Sequence, residues 1–190
     1  MSEYFSPILK NGNGNRDLDP NSQILVTNGA LGSLYSAIMN LVGPGDEVLM
    51  FEPYYTQYVN QIEFAGATIK TAPMHITDGS WDFDWQAFED AITSKTKLVL
   101  MTNPHNPSGK LFTRSEIEKM TAILDKHPHI NVVSDDVYYF LPFDGRKYES
   151  FANYNQSNFE KTITVYSAGK MLNCTGWKIG WSIGPAQLIK

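Results

Sequence analysis

The sequence lacks several features that identify common classes of protein. Its 190 residues include one cysteine, Cys174, so an internal disulfide and a cysteine-based zinc site are both excluded. No apolar run approaches the roughly 20 residues that a membrane-spanning helix needs, so no membrane partner is expected. The first ten residues contain no basic segment followed by an apolar one. We therefore expect a cytoplasmic location, and a mitochondrial location stays open if the natural chain begins upstream of Met1.

Basic charge is also scarce. Lys and Arg number 15 against 20 Asp and Glu, which gives a formal net charge of -5 at pH 7. No stripe of Lys and Arg interleaved with aromatic residues occurs, so we expect no nucleic-acid partner. The four histidines have no spacing that suits a metal ion, so we expect no metal. Aromatic residues make up 13% of the chain, which indicates a folded protein with a sizeable core.

Short β-branched runs alternate with segments of helical periodicity from Gln23 onward. Residues 1–22 are expected to be an approach segment, because residues 11–21 are rich in the turn formers Gly, Asn and Asp. Thr113 and Glu116 have the spacing of a capping box. We predict strands at residues 24–27, 47–51, 67–73, 96–101, 130–134 and 162–167, helices at residues 31–42, 56–65, 84–93 and 113–126, and a final segment at residues 177–183. This order is typical of an α/β fold with a mostly parallel sheet and helices on both faces.

Polar and small residues follow the predicted strands. Ligands of open α/β sheets bind beyond the carboxyl ends of the strands, so we expect these residues to surround one site. The small residues 28–33 open a helix, where free N–H groups would hold a phosphate. The other segments supply an aromatic face at residues 52–55, an amide at residues 103–110, a carboxylate and a phenol at residues 135–138, and lysines at residues 167–170 and 175–178. Such a pocket suits a phosphorylated aromatic cation, and pyridoxal phosphate meets that description.

The same segments resemble a known family. The motifs are NPHNPSG at residues 103–109, DDVY at residues 135–138, SAGK at residues 167–170 and TGWKIGW at residues 175–181. In order and spacing they resemble the class I and II, fold-type I pyridoxal-phosphate aminotransferases. With Phe143-Asp144-Gly145, they are most similar to the branch of kynurenine aminotransferase and glutamine transaminase K, which is also called cysteine-S-conjugate β-lyase. The resemblance covers nearly the whole chain from Gln23 onward.

The resemblance implies roles for nine residues. Lys170 would form the aldimine with the cofactor and would then move the proton between the substrate Cα and the cofactor C4′. Asp135 would hold the pyridine nitrogen protonated. The other residues would bind the cofactor, with Tyr55 stacked on its ring, Asn106 and Tyr138 bonded to its phenolic oxygen, and Ala30, Leu31, Ser167 and Lys178 around its phosphate.

The resemblance also implies a longer parent protein. The family's chain is about twice as long, so we expect residues 23–190 to be a cofactor-binding large domain truncated before the C-terminal small domain. That small domain supplies the arginine that grips the substrate carboxylate, and no arginine follows Arg146 here. Asp136 stands where the family usually has Glu, and Leu31 stands where this branch often has Tyr. The motifs do not predict which amino acid is preferred.

The implied function is transfer of an amino group from an amino acid of the kynurenine, glutamine or aromatic type to a 2-oxo acid, in a homodimer. One alternative is a β-lyase that uses the same cofactor and lysine but releases pyruvate and ammonia from a cysteine S-conjugate. The other alternative is a non-catalytic binding module with an aminotransferase-like fold, or an inactive fragment. No basic recognition helix in this chain supports the binding module.

Overall fold

The computed structural model describes residues 1–190 and contains one eight-stranded sheet. The strands are β1 (Ile24–Asn28), β2 (Glu47–Glu52), β3 (Thr68–Thr77), β4 (Ser80–Phe83), β5 (Thr96–Thr102), β6 (Asn131–Asp135), β7 (Thr162–Ser167) and β8 (Ile179–Ile183). The helices are α1 (Ser2–Leu9), α2 (Gly29–Leu41), α3 (Gln57–Phe64), α4 (Trp85–Asp90), α5 (Arg114–Leu124), α6 (Gln156–Glu160), α7 (Ala168–Met171) and α8 (Ala186–Ile189). A 3₁₀ turn at Thr175–Trp177 precedes β8. No helix is both long and apolar enough to span a bilayer.

Six of the eight strands run in the same direction. The strand order is β1-β8-β7-β6-β5-β2-β3-β4, and the five strands from β7 to β3 pair in parallel. β8 is antiparallel to both β7 and β1, so β1 points the same way as the parallel strands. β4 is antiparallel to β3. The mostly parallel sheet expected from the sequence is therefore confirmed, and the carboxyl ends of β1, β2, β5, β6 and β7 lie at one edge.

Helices cover both faces of the sheet, as predicted. In β2, Val48 and Met50 pack in a buried cluster with α2 and α3, whereas Leu49 and Phe51 pack in a second cluster with α4 and α5. This alternation follows from the period of two along a strand. Burial of apolar surface contributes about 25 cal/mol per Å² to stability, and these two clusters hold the sheet between its helical layers. Because β6 has the same alternation, Asp135 lies on the face of α2 and α3.

The capping box predicted for α5 is present. The Thr113 Oγ1 accepts a hydrogen bond from the Glu116 N–H at 3.2 Å, and the Glu116 carboxylate accepts one from the Thr113 N–H at 2.8 Å. These two bonds satisfy donors that the first turn of a helix otherwise leaves without a partner. The helix therefore begins at Arg114, immediately after the predicted cap.

Residues 1–22 contain helix α1, which was not predicted from the sequence. Its Phe5 and Leu9 are spaced by four residues and are buried in a third apolar cluster. The Phe5 ring lies 4.4 Å from that of Tyr166 in β7 and 5.7 Å from that of Trp181 in β8, measured between ring centroids. The helix has only eight residues and contains Pro7, which hides its periodicity. The N-terminal segment therefore packs on the domain.

A hairpin also extends the sheet further than predicted. β3 was expected to end at Pro73 but continues to Thr77, and β4 returns antiparallel to it. Pro73 is tolerated because it is the last residue of β3 to pair with β2, and pairing with β4 begins at the next residue. Asp78 and Gly79 form the connection with φ of 52° and 78°, as the Asp-Gly turn of a tight hairpin requires.

Candidate active site

A cavity of about 480 Å³ opens at the carboxyl edge of the sheet. Its volume lies within the range of small-molecule sites. All nine residues singled out from the sequence line it, although they come from separate segments of the chain. They are Ala30, Leu31, Tyr55, Asn106, Asp135, Tyr138, Ser167, Lys170 and Lys178. The structure thus brings the nine residues together, whereas their individual roles stay predictions.

The N-terminus of α2 contributes free hydrogen-bond donors to the cavity. Asn28 is the N-cap residue but makes no side-chain hydrogen bond to the first turn, and that turn contains no acidic residue. The first N–H groups of a helix have no partner within the helix and carry partial positive charge. The N–H groups of Ala30 and Leu31 are therefore suited to an anion such as a phosphate.

Ser167 and Lys178 lie beside this helix terminus. Ser167 pairs with Gly180 across β7 and β8, and Gly180 pairs in turn with Thr27 at the end of β1. A Cβ placed on Gly29 would lie 3.9 Å from Lys178 Cδ, so the lysine side chain passes close to the start of α2. A hydroxyl and an ammonium group thus add to the backbone donors, which makes this end of the cavity electropositive.

Two glycines allow the backbone to pack this closely. Gly29 has φ of 71°, a left-handed conformation that a residue with a Cβ rarely adopts. Gly180 lies in β8 directly against the start of α2, where a Cβ would come within 2.4 Å of Ala30 N and of Gly29 C. Only a glycine at position 180 permits that approach without moving backbone atoms.

Asp135 supplies the buried negative charge of the cavity. It ends β6 and is 5% exposed, and its Oδ2 accepts a hydrogen bond of 2.7 Å from the Tyr58 hydroxyl. Its Oδ1 lies 3.4 Å from the Val137 N–H, which donates to it. Burial raises the pKa of Asp135 to about 6, against the lowering effects of the Tyr58 hydroxyl, the Val137 N–H and the Lys170 charge. At neutral pH the carboxyl group is therefore mostly ionised.

Lys170 supplies the amine. It lies in α7, directly after β7, and its side chain is exposed within the cavity. Its Nζ is 5.6 Å from the ring centroid of Tyr138 and forms no salt bridge. Tyr55 provides a flat apolar surface, and its ring meets that of Tyr58 edge to face with the centroids 5.4 Å apart. A free amine, a buried carboxylate and an aromatic surface are therefore all available to one ligand.

Three residues at the site were not predicted from the sequence: Tyr58, Thr102 and Thr175. Tyr58 lies in the first turn of α3, where its hydroxyl contacts Asp135 and its ring meets that of Tyr55. Thr102 lines the cavity, and its Oγ1 donates to the Asp135 backbone oxygen at 2.9 Å. Thr175 also lines the cavity, and its hydroxyl donates to the backbone oxygen of Gly169 at 3.3 Å. No sequence signal distinguishes these two threonines from others in the chain. No group of three His, Cys, Asp or Glu side chains is arranged to hold a metal ion.

Known proteins share both the sequence and the fold. Kynurenine–oxoglutarate transaminase 3 from Mus musculus is 42% identical over 183 residues, which are 92% of this chain and 40% of that protein. Kynurenine–oxoglutarate transaminase from Dictyostelium discoideum is 36% identical over 203 residues, with 100% of this chain and 45% of that protein covered. The solved structure of N-succinyldiaminopimelate aminotransferase from Mycobacterium tuberculosis superposes with a TM-score of 0.91 at 36% identity, covering 99% of this chain and 47% of that one.

These matches confirm the resemblance read from the motifs. The chain spans about 40 to 47% of the length of these relatives. The family model for aminotransferase class I and II matches residues 3–190, which is nearly the whole chain. The chain therefore belongs to the class I and II aminotransferase family.

Proposed function

We propose that this chain forms the cofactor-binding part of a pyridoxal-phosphate-dependent aminotransferase. The observation that carries the proposal is the convergence of three groups in one cavity: the buried Asp135 carboxylate, the free Lys170 amine and the uncapped start of α2. Pyridoxal phosphate has a ring nitrogen that suits a carboxylate, an aldehyde that suits an amine, and a phosphate that suits a helix N-terminus. The residues present therefore fit this cofactor.

The remaining groups of the cavity would hold the cofactor in place. Tyr55 would stack on the ring, because its own ring is braced by Tyr58. Asn106 and Tyr138 would donate hydrogen bonds to the phenolic oxygen. Ser167 and Lys178 would join the backbone donors around the phosphate, because they lie beside the start of α2.

When bound, pyridoxal phosphate supplies an aldehyde that takes up amino groups and a ring that stabilises negative charge at the substrate Cα. Lys170 Nζ would take the proton from that Cα and would donate a proton to the C4′ atom of the cofactor. The Lys170 side chain is exposed and forms no salt bridge, so it is free to move between the two atoms. Asp135 would keep its negative charge at the ring nitrogen, since its pKa of about 6 leaves it mostly ionised at neutral pH.

The names of the relatives differ in amino donor. Two of them are kynurenine–oxoglutarate transaminases, and a third is an N-succinyldiaminopimelate aminotransferase. We propose a donor of the kynurenine, glutamine or aromatic type and a 2-oxo acid as acceptor, supported by the two kynurenine transaminases and by the SAGK and TGWK motifs. No arginine lines the cavity, so the described chain places no guanidinium group where it could hold a donor carboxylate.

A homodimer and a cytoplasmic location are part of the proposal. Exposed apolar side chains at the cavity rim and on the adjoining helices support a homodimer: Leu31 is 43% exposed, Tyr35 45% and Phe64 75%. The rings of Tyr35 and Phe64 lie 6.1 Å apart and form one patch. Sedimentation velocity would measure the association, and Phe64→Asp should weaken it.

The function is tested by incubating the cofactor-loaded chain with L-kynurenine and 2-oxoglutarate and measuring glutamate. The parent chain should form glutamate, and Lys170→Ala should form none, because it lacks the amine that moves the proton. Lys147→Ala removes an exposed lysine outside the cavity and should keep the activity of the parent. Formation of glutamate by Lys170→Ala at the rate of the parent would contradict the assignment.

The β-lyase alternative is tested in the same preparation with a cysteine S-conjugate. Elimination releases pyruvate and ammonia, whereas transamination passes the amino group to the added 2-oxo acid. The relatives are named as transaminases, so we expect glutamate to exceed pyruvate. The opposite ratio would favour the lyase, and cofactor binding with neither product would favour a binding module or an inactive fragment.

A further inference from the structure

We propose that Tyr58 is a positioning residue, whose hydroxyl holds the Asp135 carboxylate ionised and oriented toward the ring nitrogen of the cofactor. The inference rests on the proposed function, since it concerns the same cavity. It goes beyond that function because Tyr58 belongs to none of the motifs that identify the family, and it does not itself line the cavity.

The geometry joins two elements that are distant in sequence. Tyr58 lies in α3 and Asp135 ends β6, yet the hydroxyl and the carboxylate Oδ2 are 2.7 Å apart. Both side chains are buried, with exposed fractions of 2% and 5%. An ionised carboxylate can only accept, so the phenol donates this bond. Because both side chains are buried, the Tyr58 hydroxyl fixes one of the two carboxylate oxygens, and the orientation of the group follows.

The charge of Asp135 depends on the same bond. Burial favours the neutral acid, and a neutral acid could not keep a ring nitrogen protonated. The groups that face Asp135 are the Lys170 ammonium, which favours ionisation, the adjacent Asp136, which opposes it, the uncharged Thr102, and the Tyr58 hydroxyl. Among their side chains, Tyr58 alone donates a hydrogen bond to the carboxylate.

If Tyr58 had only a structural role, its loss would lower stability without changing the pKa of Asp135. The chain also offers a matched control. Tyr148 is a half-buried tyrosine, and its hydroxyl donates to Asp136, the residue that follows Asp135 in the chain. Asp136 is fully buried but does not line the cavity. Tyr148→Phe therefore removes the same group from the neighbouring carboxyl. Both Tyr→Phe variants should lose stability, but only Tyr58→Phe should raise the pKa of Asp135.

The first measurement uses the 190-residue chain without cofactor. Titration of carboxyl carbons by NMR, with Asp135 assigned from the signal missing in Asp135→Asn, gives the pKa of Asp135 directly. Tyr58→Phe should raise this pKa by about one pH unit, because a hydrogen bond to the charged form is lost. Tyr148→Phe should not raise it. An unchanged pKa in Tyr58→Phe overturns the inference.

The second measurement compares binding of pyridoxal phosphate with binding of its 1-deaza analogue, in which carbon replaces the ring nitrogen. The parent should bind pyridoxal phosphate more tightly than the analogue. In Tyr58→Phe this preference should fall by about tenfold, while the affinity for the analogue stays unchanged. Equal weakening of both ligands would show a structural role and overturn the inference. Failure of the parent to bind pyridoxal phosphate would contradict the proposed function. In that case the NMR titration alone would test whether Tyr58 holds the Asp135 carboxylate ionised.

Discussion

The close approach of β8 to the start of α2 makes Gly180→Ala a demanding test of the site's architecture. The added Cβ would lie 2.4 Å from Ala30 N and from Gly29 C, and 2.8 Å from Gly29 O, whereas ordinary contacts begin at 3.4 Å. All of these are backbone atoms, so no side-chain rotation relieves the overlap. The start of α2 must therefore move by about 1 Å away from β8.

Overpacking of this kind costs about 1–3 kcal/mol, and we expect Gly180→Ala to reach the upper part of that range because the contact is backbone to backbone. Urea denaturation measures the loss in the free energy of unfolding. The affinity for pyridoxal phosphate should also fall, since the displaced N–H groups are the ones proposed to bind the phosphate.

Gly43→Ala is the matched control. A Cβ on Gly43 meets no atom within 4 Å, and its φ is not positive. This variant should unfold at the urea concentration of the parent or slightly above it. If Gly180→Ala also unfolds with the parent and binds the cofactor equally well, β8 and α2 do not pack as described, and the reasoning is refuted.

Three further changes test the fold. Thr113→Ala removes a capping-box hydroxyl and should lower the free energy of unfolding by about 1 kcal/mol in urea denaturation. Phe88→Ala opens a cavity beneath the Phe51 ring, which stacks on it at 4.8 Å, and should cost about 3–5 kcal/mol in the same assay. Burial raises the pKa of Asp136 to about 7 from its ordinary value of 3.8, so the folded chain holds a proton that the unfolded chain releases. The free energy of unfolding should therefore fall as pH rises from about 4 to 7, and Asp136→Asn should flatten this fall in urea titrations at several pH values.

The location of the candidate site could be predicted from the sequence for a physical reason. Parallel strands end at the same edge of a sheet, so residues that directly follow a strand are neighbours even when they are far apart in the chain. Asp135 ends β6 and Lys170 follows β7 within three residues, and both line the cavity. Errors of one or two residues in the predicted strand boundaries did not change the predicted location of the site, because the motif residues lie at or just after the carboxyl ends of the strands.

The parts that could not be predicted depend on packing between distant elements. The bond from Tyr58 to Asp135 requires the placement of α3 over β6, which no local pattern sets. Helix α1 is short and contains Pro7, and its stability comes from burial against β7 and β8 rather than from its own periodicity. The Asp78-Gly79 pair is typical of a tight hairpin turn, but the sequence patterns predicted no strand between residues 73 and 84.

Covalent capture of the cofactor identifies the lysine that reacts with it. The chain is incubated with pyridoxal phosphate, reduced with borohydride, digested and mapped by mass spectrometry, with Lys170→Ala and Lys147→Ala treated in parallel. We expect visible absorbance on binding, a reduced cofactor on the peptide that contains Lys170, the same label in Lys147→Ala, and no label in Lys170→Ala. Label on a different lysine, or equal capture by Lys170→Ala, would contradict the assignment of this cavity as the cofactor site.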